Sequence, residues 1–266
     1  MTEPEGWQVS GDAAEVYEQC FVPAIFGQWA PLMANVARVV SGDSVLDVGC
    51  GTGVLARAAA DRVAVESQVT GLDRNEGMLA VARRLRPQIG WRQGDATALP
   101  FANASYDVVL SQFALMYFPD CTAALKEMVR VLRPGGRLAI AVWGPYERAT
   151  GYVILTEITQ RRCGQAAADI LTAPFALGDK DTLLDLCKAA GIQDAVITLR
   201  EGSIKYPTIE VFVETEVKGS PLETLLDKES YQELMQEAQE KLQQFHADGV
   251  GVIMPMDAFI ITAEKG

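Results

Sequence analysis

At 266 residues and 49% hydrophobic, the chain has enough apolar mass for one large core, so a single α/β domain with embellishments is expected over two independent domains. A net charge of -12 and an isoelectric point near 4.6 argue against a surface that tracks nucleic-acid phosphates, which requires a basic stripe. Five scattered cysteines (20, 50, 121, 163 and 187) without a C-x-x-C pair fit neither a disulfide framework nor a zinc site. With an acidic start, Met1-Thr2-Glu3-Pro4-Glu5-Gly6, and no apolar run near the roughly 20 residues that span a bilayer, they point to a soluble cytoplasmic protein without bound metal.

From Asp12 to Val40, apolar and aromatic residues including Val16, Tyr17, Phe21, Ile25, Phe26, Trp29 and Met33 recur at helical spacing, interrupted by Pro23 and Pro31. They predict two or three short helices that either pack on a sheet edge or close over a ligand. Val45-Leu46-Asp47-Val48 is then an apolar strand that ends in three alternating glycines, Gly49, Gly51 and Gly53. Glycine permits positive φ there and removes the β-carbons that would hold a ligand off the backbone, and Val54 to Ala60 continues with strong helix propensity. Strand, loop and helix together make a nucleotide-sized cradle.

The same grammar repeats. Gln68 to Asp73 predicts a second strand ending in a carboxylate, followed by a helix over Glu76 to Leu85 with Asn75 as its cap. The basic knot Arg83-Arg84-Leu85-Arg86 falls at that helix's end, where cations suit the macrodipole. Gly90 to Ala96 is a third, shorter strand closing in Asp95, and Ser105 to Ser111 a nearly uniform apolar fourth, as a central parallel strand should be. An amphipathic helix over Cys121 to Leu132 is stopped by Arg133-Pro134-Gly135-Gly136, and Arg137 to Trp143 is the fifth strand. Short joins and strict alternation imply right-handed βαβ units and a doubly wound parallel sheet.

Beyond Gly144 the alternation loosens. Tyr146 to Gly178 is mixed, Lys180 to Ala190 a helix, Ile192 to Tyr206 a sixth strand and Gly251 to Ala263 a seventh. Pro207 to Gly249 between them holds polar helices, Lys228 to Phe245 being the plainest. Pairing of the last two strands would end the sheet in an antiparallel hairpin, with the insert over an edge where a lid can act. The domain plan is therefore one unit over 1–266: a helical N-terminal lid (1–40), a ligand-binding core (41–144) and a substrate-side region (145–266) with the helical insert 207–249.

Asp47, Asp73 and Asp95 each close a consecutive strand, and in an open α/β sheet those ends face the ligand crevice. Asp73 lies about 20 residues past Gly53, the placement of an acid that accepts from ribose hydroxyls. An acid just before the glycines would repel a pyrophosphate, so Asp47 points to a ligand with positive charge near the loop.

At these residues the sequence resembles the class I S-adenosylmethionine-dependent methyltransferases, in particular the type 11, ubiquinone/menaquinone-methyltransferase-like small-molecule branch. The matching pieces are Val45 to Gly53, Thr70-Gly71-Leu72-Asp73, Gly94-Asp95-Ala96 with Leu99-Pro100-Phe101, Tyr106-Asp107-Val108-Val109, and Val131 to Gly136. The resemblance implies a Rossmann-like seven-stranded sheet ordered 3-2-1-4-5-7-6, the last strand antiparallel, and S-adenosyl-L-methionine as cofactor. It implies that Gly49, Gly51 and Gly53 line the methionine part and that Asp47 acts near its ammonium. Asp73 would hold the ribose, with Arg74 and Met78 beside the adenine. Asp95 and Ala96 would bind the adenine edge, and Ser111, Gln112 and Phe113 would lie beneath the transferable methyl group. No Asn-Pro-Pro-Tyr-like motif follows the fourth strand, where the chain reads Ser111-Gln112-Phe113-Ala114, and no Pro-Cys nucleophile is present, which sets nucleic-acid methylation aside.

The expected activity is methyl transfer to a small-molecule acceptor through O, N or C. His246, the sole histidine, is a candidate base, and Tyr17, Tyr117 and Tyr146 are further candidates. Two other readings stand beside it: a sensor or scaffold that binds S-adenosylmethionine or its demethylated product without transfer, and a nicotinamide-dependent dehydrogenase, against which Asp95 and the Arg-Pro-Gly-Gly turn count.

Overall fold

The computed structural model describes residues 11–266; the reading of Met1 to Gly6 lies outside them. The described chain divides into two compact units. One runs up to Val142 and includes Lys180–Thr198 and Phe259–Gly266, and the other comprises Trp143–Asp179 and Leu199–Ala258.

The first unit opens with helix α1 (Gly11–Val16), a ten-residue π-helix (Tyr17–Phe26) and α2 (Trp29–Val36). The widened turn falls where the sequence places Pro23, which has no N–H to give and whose ring crowds the carbonyl four residues earlier. Then come β1 (Val45–Val48), α3 (Val54–Ala60), β2 (Val69–Asp73), α4 (Glu76–Leu85), β3 (Gly90–Gln93), β4 (Tyr106–Gln112), α5 (Cys121–Val131) and β5 (Leu132–Trp143). Asn75 caps α4 as expected, its side chain accepting from the Met78 N–H. The basic knot at the end of α4 is taken up in ion pairs: Arg84 with Glu15, and Arg86 with Asp61 and Glu66.

Beyond β5 follow α6 (Thr150–Cys163), α7 (Gln165–Thr172), α8 (Lys180–Ala189), β6 (Val196–Arg200), β7 (Ser203–Tyr206), α9 (Ile209–Lys218), α10 (Leu222–Leu225), α11 (Lys228–Lys241), β8 (His246–Ala247), β9 (Gly251–Pro255) and β10 (Ala258–Glu264). The main sheet has seven strands in the order β3-β2-β1-β4-β5-β10-β6, the predicted 3-2-1-4-5-7-6 arrangement. Parallel registers set Asp47 beside Gly71 on β2 and Leu110 on β4. β10 runs antiparallel to β5: Gly135 and Gly136 bond Lys265 at one end, and the Gly144 N–H donates to the Asp257 carbonyl at the other. Leu46, Val48, Val108, Val109, Ala139 and Ile140 are all fully buried, as strands covered on both faces require.

The two late strands differ from expectation. Each predicted run is broken in two, and only one half of each joins the main sheet; β7 and β9 pair in a second sheet of order β7-β9-β8, Tyr206 opposite Val252. The breaks are tied to each other. The Gly202 N–H donates to Asp257 Oδ1 and the Met256 N–H to the Gly202 carbonyl, so both runs change course at one place. The insert 207–249 is accordingly α9, α10, α11 and β8, with α11 ending at Lys241.

Within the second unit an aromatic chain runs through Tyr146, Phe175, Tyr152, Phe212 and Tyr206, with ring centroids 5.2–5.6 Å apart. Glu216 of α9 is buried beside it and accepts from the Tyr152 hydroxyl at 2.7 Å. Burial raises its carboxyl to a pKa of about 7, with the Tyr152 and Tyr206 hydroxyls pulling it back down. Among the described residues no helix is long and apolar enough to cross a membrane, no group of His, Cys, Asp and Glu could hold a metal ion, and the five cysteines are free.

Candidate active site

β1 carries Asp47 into the middle of the sheet, where its neighbours on both sides are backbone and apolar side chains. The residue is 1% exposed, and neither carboxylate oxygen has a hydrogen-bond partner among the described residues. Burial raises its pKa to about 7; the Ala56 N–H, outside hydrogen-bond geometry, offsets part of this, and the charge on Asp73 adds to it. A buried carboxylate without a partner is costly, so the arrangement makes sense as half of an interaction that a cation completes.

The loop after β1 holds all three glycines at positive φ: 72° at Gly49, 54° at Gly51 and 86° at Gly53. Their reasons differ. A β-carbon at Gly49 would lie 2.5 Å from that of Ala114, and one at Gly53 would lie 2.2 Å from Trp91, so the space there is taken by protein. At Gly51 the nearest atoms are those of the Tyr17 ring, 3.8 Å away, so there is room for a β-carbon and only the backbone angle favours glycine. Trp91 also fills the space beside Gly71, where a β-carbon would come within 2.4 Å of it, and its indole N–H donates to the Arg86 carbonyl.

Asp73, at the end of β2, is tied to the same loop. Its Oδ2 accepts from the Gly51 N–H at 2.7 Å and its Oδ1 from the Asn75 N–H at 2.8 Å. Burial raises its pKa while these backbone donors lower it. Each oxygen keeps a further lone pair, so the side chain sets the loop and can still accept from a ligand.

Tyr17 stands over the loop from the π-helix and stacks on Phe21 and Phe26, with centroids 5.9 and 5.1 Å away. Its phenol is pushed far above the ordinary tyrosine range, by burial first and then by Tyr117, Asp73, Glu18 and Asp47. Such a phenol stays protonated and donates.

The remaining predicted residues separate by environment. Ser111 is fully buried, and its hydroxyl donates to the Val48 carbonyl at 2.8 Å, tying β4 to β1. Gln112 donates to the Phe26 carbonyl at 3.3 Å and keeps a buried Oε1 without a partner among the described residues. Phe113 follows with φ 54°, an unusual angle for a bulky residue, and packs on Phe26 and Trp29. Met78 is buried in a cluster with Ala14, Val81 and Tyr17, and Arg74 is exposed. β3 stops at Gln93, so Asp95 lies in the turn beyond the strand rather than at its end. It is exposed, and its carboxylate is held below the usual range by the Thr97 N–H and hydroxyl. Ala96 next to it is buried. Tyr117 is exposed, and Tyr146 belongs to the second unit, where burial raises its pKa. His246 also belongs to the second unit, on β8, with its Nε2 3.6 Å from Asp248 and its side chain more than half exposed.

Sequence reasoning missed two residues here. Arg57 of α3, read only as a helix former, donates to the Thr52 carbonyl at 2.7 Å and to Glu18 at 2.8 Å. No local pattern announces that pair, whose partners are 39 positions apart. The neighbourhood thus combines an unpartnered buried acid, a positive-φ loop, a second acid with spare lone pairs and an aromatic wall. It suits a ligand with a cationic end and vicinal hydroxyls.

A family model described as a methyltransferase domain matches residues 46–140. The demethylmenaquinone methyltransferase of Renibacterium salmoninarum is 36% identical over 177 residues, spanning 63% of this chain and 73% of that protein. The 2-phytyl-1,4-naphtoquinone methyltransferase of Thermosynechococcus vestitus is 41% identical over 115 residues, 42% of this chain and 51% of that protein, so that match spans about half of the relative. Among solved structures, phosphoethanolamine N-methyltransferase 2 of Haemonchus contortus, in complex with phosphomonomethylethanolamine and S-adenosylhomocysteine, shares the fold. Its TM-score is 0.59 at 20% identity, covering 96% of this chain and 57% of that one.

Proposed function

Because the chain belongs to the class I S-adenosylmethionine-dependent methyltransferases, in their ubiquinone/menaquinone-methyltransferase-like branch, we propose that it methylates a small-molecule acceptor with a quinone-like ring. The ring class rests on what the two curated relatives are named for. The observation that carries the cofactor's placement is the buried, unpartnered carboxylate of Asp47 at the mouth of the glycine loop, which fits the ammonium of the methionine part.

S-adenosylmethionine supplies an electrophilic methyl group when bound, so the protein's main task is to hold and orient its partners. Asp47 neutralises the ammonium, Gly51 leaves the loop backbone open to the methionine part, and Gly49 and Gly53 let the loop line it by packing on Ala114 and Trp91. Asp73 accepts from the ribose with the lone pairs that Gly51 and Asn75 leave free. Arg74, Met78, Asp95 and Ala96 serve the adenine side, and Ser111 and Gln112 the methyl side. The orphaned Oε1 of Gln112 is the acceptor most ready for a ligand donor. Tyr17 holds its proton and walls the site; His246 stays the base that the sequence nominates, and its substitution tests it.

Calorimetry with S-adenosylmethionine, S-adenosylhomocysteine and NAD tests the cofactor: binding of the first two and not the third is expected, and NAD binding without a response to S-adenosylmethionine would overturn it. Incubation with methyl-labelled S-adenosylmethionine and a reduced naphthoquinone tests the acceptor. Label on the ring or its oxygens supports the reading and fixes the attacked atom; label moving only to an amine refutes it. With an active acceptor in hand, His246→Gln lowering turnover by roughly 10²-fold, with recovery at higher pH, marks His246 as the base. Unchanged turnover assigns the rate to orientation.

A further inference from the structure

Among the described residues, the Arg57 side chain joins the π-helix that carries Tyr17 to the glycine loop. Arg57 sits at the middle of α3, and its two terminal nitrogens go to different places: Nη1 to the Thr52 carbonyl of the loop, Nη2 to Glu18 Oε1 of the π-helix. Both partners of the ion pair are mostly buried, with side chains 19% and 17% exposed. Glu18 Oε2 is buried without a partner among the described residues, and so is the Thr52 hydroxyl. The pair is therefore not a solvated surface contact, and its guanidinium is used as a fork, which a lysine cannot reproduce. Glu18 is the residue next to Tyr17, and Thr52 lies between Gly51 and Gly53, so the fork links the aromatic wall to the loop it covers.

The geometry points to Arg57 and Glu18 as positioning residues for methyl transfer: we propose that they clamp the Tyr17–Phe26 segment onto the glycine loop and so couple its closure to occupancy of the cofactor cradle. This rests on the reading of that loop as the cradle. The segment has reason to need a clamp. It is a ten-residue π-helix, a conformation rare beyond single turns, and Pro23 removes one of its donors. A further tether, from the end of β4, is the long Gln112 bond to the Phe26 carbonyl. Gly51 meets the same segment again through Tyr17 and bonds Asp73 on its other side, so motion of the clamp reaches both walls of the cradle.

The test uses the full chain with Glu18→Gln, Arg57→Met, the double variant and Arg57→Lys. Hydrogen exchange of residues 17–26 is followed with and without S-adenosylhomocysteine, beside calorimetric affinity and the split between KM and kcat. We expect the single variants to speed exchange of 17–26 about tenfold in the bound state while β1 and α4 keep their protection, and to weaken the ligand by a similar factor with a smaller change in kcat. The double variant should be no worse than either single one, and Arg57→Lys should restore only part of the protection. Uniformly faster exchange across the unit would show a plain folding role and overturn the proposal. So would additive losses, or exchange of 17–26 indifferent to all four substitutions. If the unaltered protein fails to bind S-adenosylhomocysteine, the cradle reading falls, and exchange of the free proteins still decides the clamp.

Discussion

Each unit buries one carboxyl raised to a pKa of about 7, and the two differ in company. Asp47 in the first unit has no hydrogen-bond partner at either oxygen among the described residues, whereas Glu216 in the second accepts from Tyr152 within an aromatic cluster. The common shift comes from the common cause, loss of water, and by itself says nothing of function. What separates a site from a satisfied core is the unmet valence. Glu216, when protonated, is a neutral group among hydroxyls; Asp47 is left with a demand that the described residues do not meet.

The sharpest way to break the contrast is Asp47→Asn. Removing the charge should weaken S-adenosylmethionine by about 100-fold, roughly 3 kcal/mol, while the melting temperature of the ligand-free protein holds or rises, because a stranded charge has gone. Calorimetry and thermal melts check both halves. In the unaltered protein the affinity should fall about tenfold per pH unit below 7, since the cation needs the ionised carboxylate and protons compete for it. A pH-independent affinity would mean that Asp47 does not meet the ammonium.

Asp73→Ala comes next, at about 2 to 3 kcal/mol of cofactor affinity, with some loop disorder from the lost Gly51 bond. Asp107→Ala is its control. That residue accepts from the Ser44 N–H and pairs with Arg133, so its loss should lower stability and leave affinity nearly unchanged. Equal affinity losses at both positions would show that the binding effect is one of folding.

Glu216→Gln should have the smallest effect on the cofactor, within about twofold, and its signature is in stability. The folded carboxyl titrates near 7 against an ordinary value of 4.5, so the folded state holds the proton more tightly. Its stabilising contribution is present in full below about 4.5, is lost as pH rises through 7, and totals on the order of 3 kcal/mol. Urea melts of the glutamine variant across that range should show a shallower fall than the unaltered protein; an identical profile would refute the shift.

Much of the first unit was legible because its determinants are local. The Gly49, Gly51 and Gly53 spacing, the Asn75 cap and the alternation of apolar strands with amphipathic helices each lie within a few residues of what they specify. The broken late strands were not legible, because Glu201-Gly202 and Met256-Asp257 interrupt them only through long-range bonds, one of which joins positions 55 apart. In the site, Asp47 and Asp73 could be named from position on their strands. That Asp73 spends two of its lone pairs on Asn75 and Gly51, and that Arg57 reaches Glu18, depends on how the loop folds back.

Trp91 behind the glycine loop has a consequence for how this sequence can change. Its ring occupies the room that a side chain at Gly53 or Gly71 would need, and its bond to the Arg86 carbonyl keeps it from swinging aside. Gly71→Ala is therefore barred while Trp91 stands and becomes far less costly once a smaller residue such as leucine replaces it, with a tight 3.0 Å contact to Cys50 Sγ left to relax, so the order of the two substitutions matters. Gly53 gains nothing from the same vacancy, because its φ of 86° excludes a side chain whatever the space. One tryptophan thus makes position 71 conditional on position 91, and leaves position 53 fixed under either history.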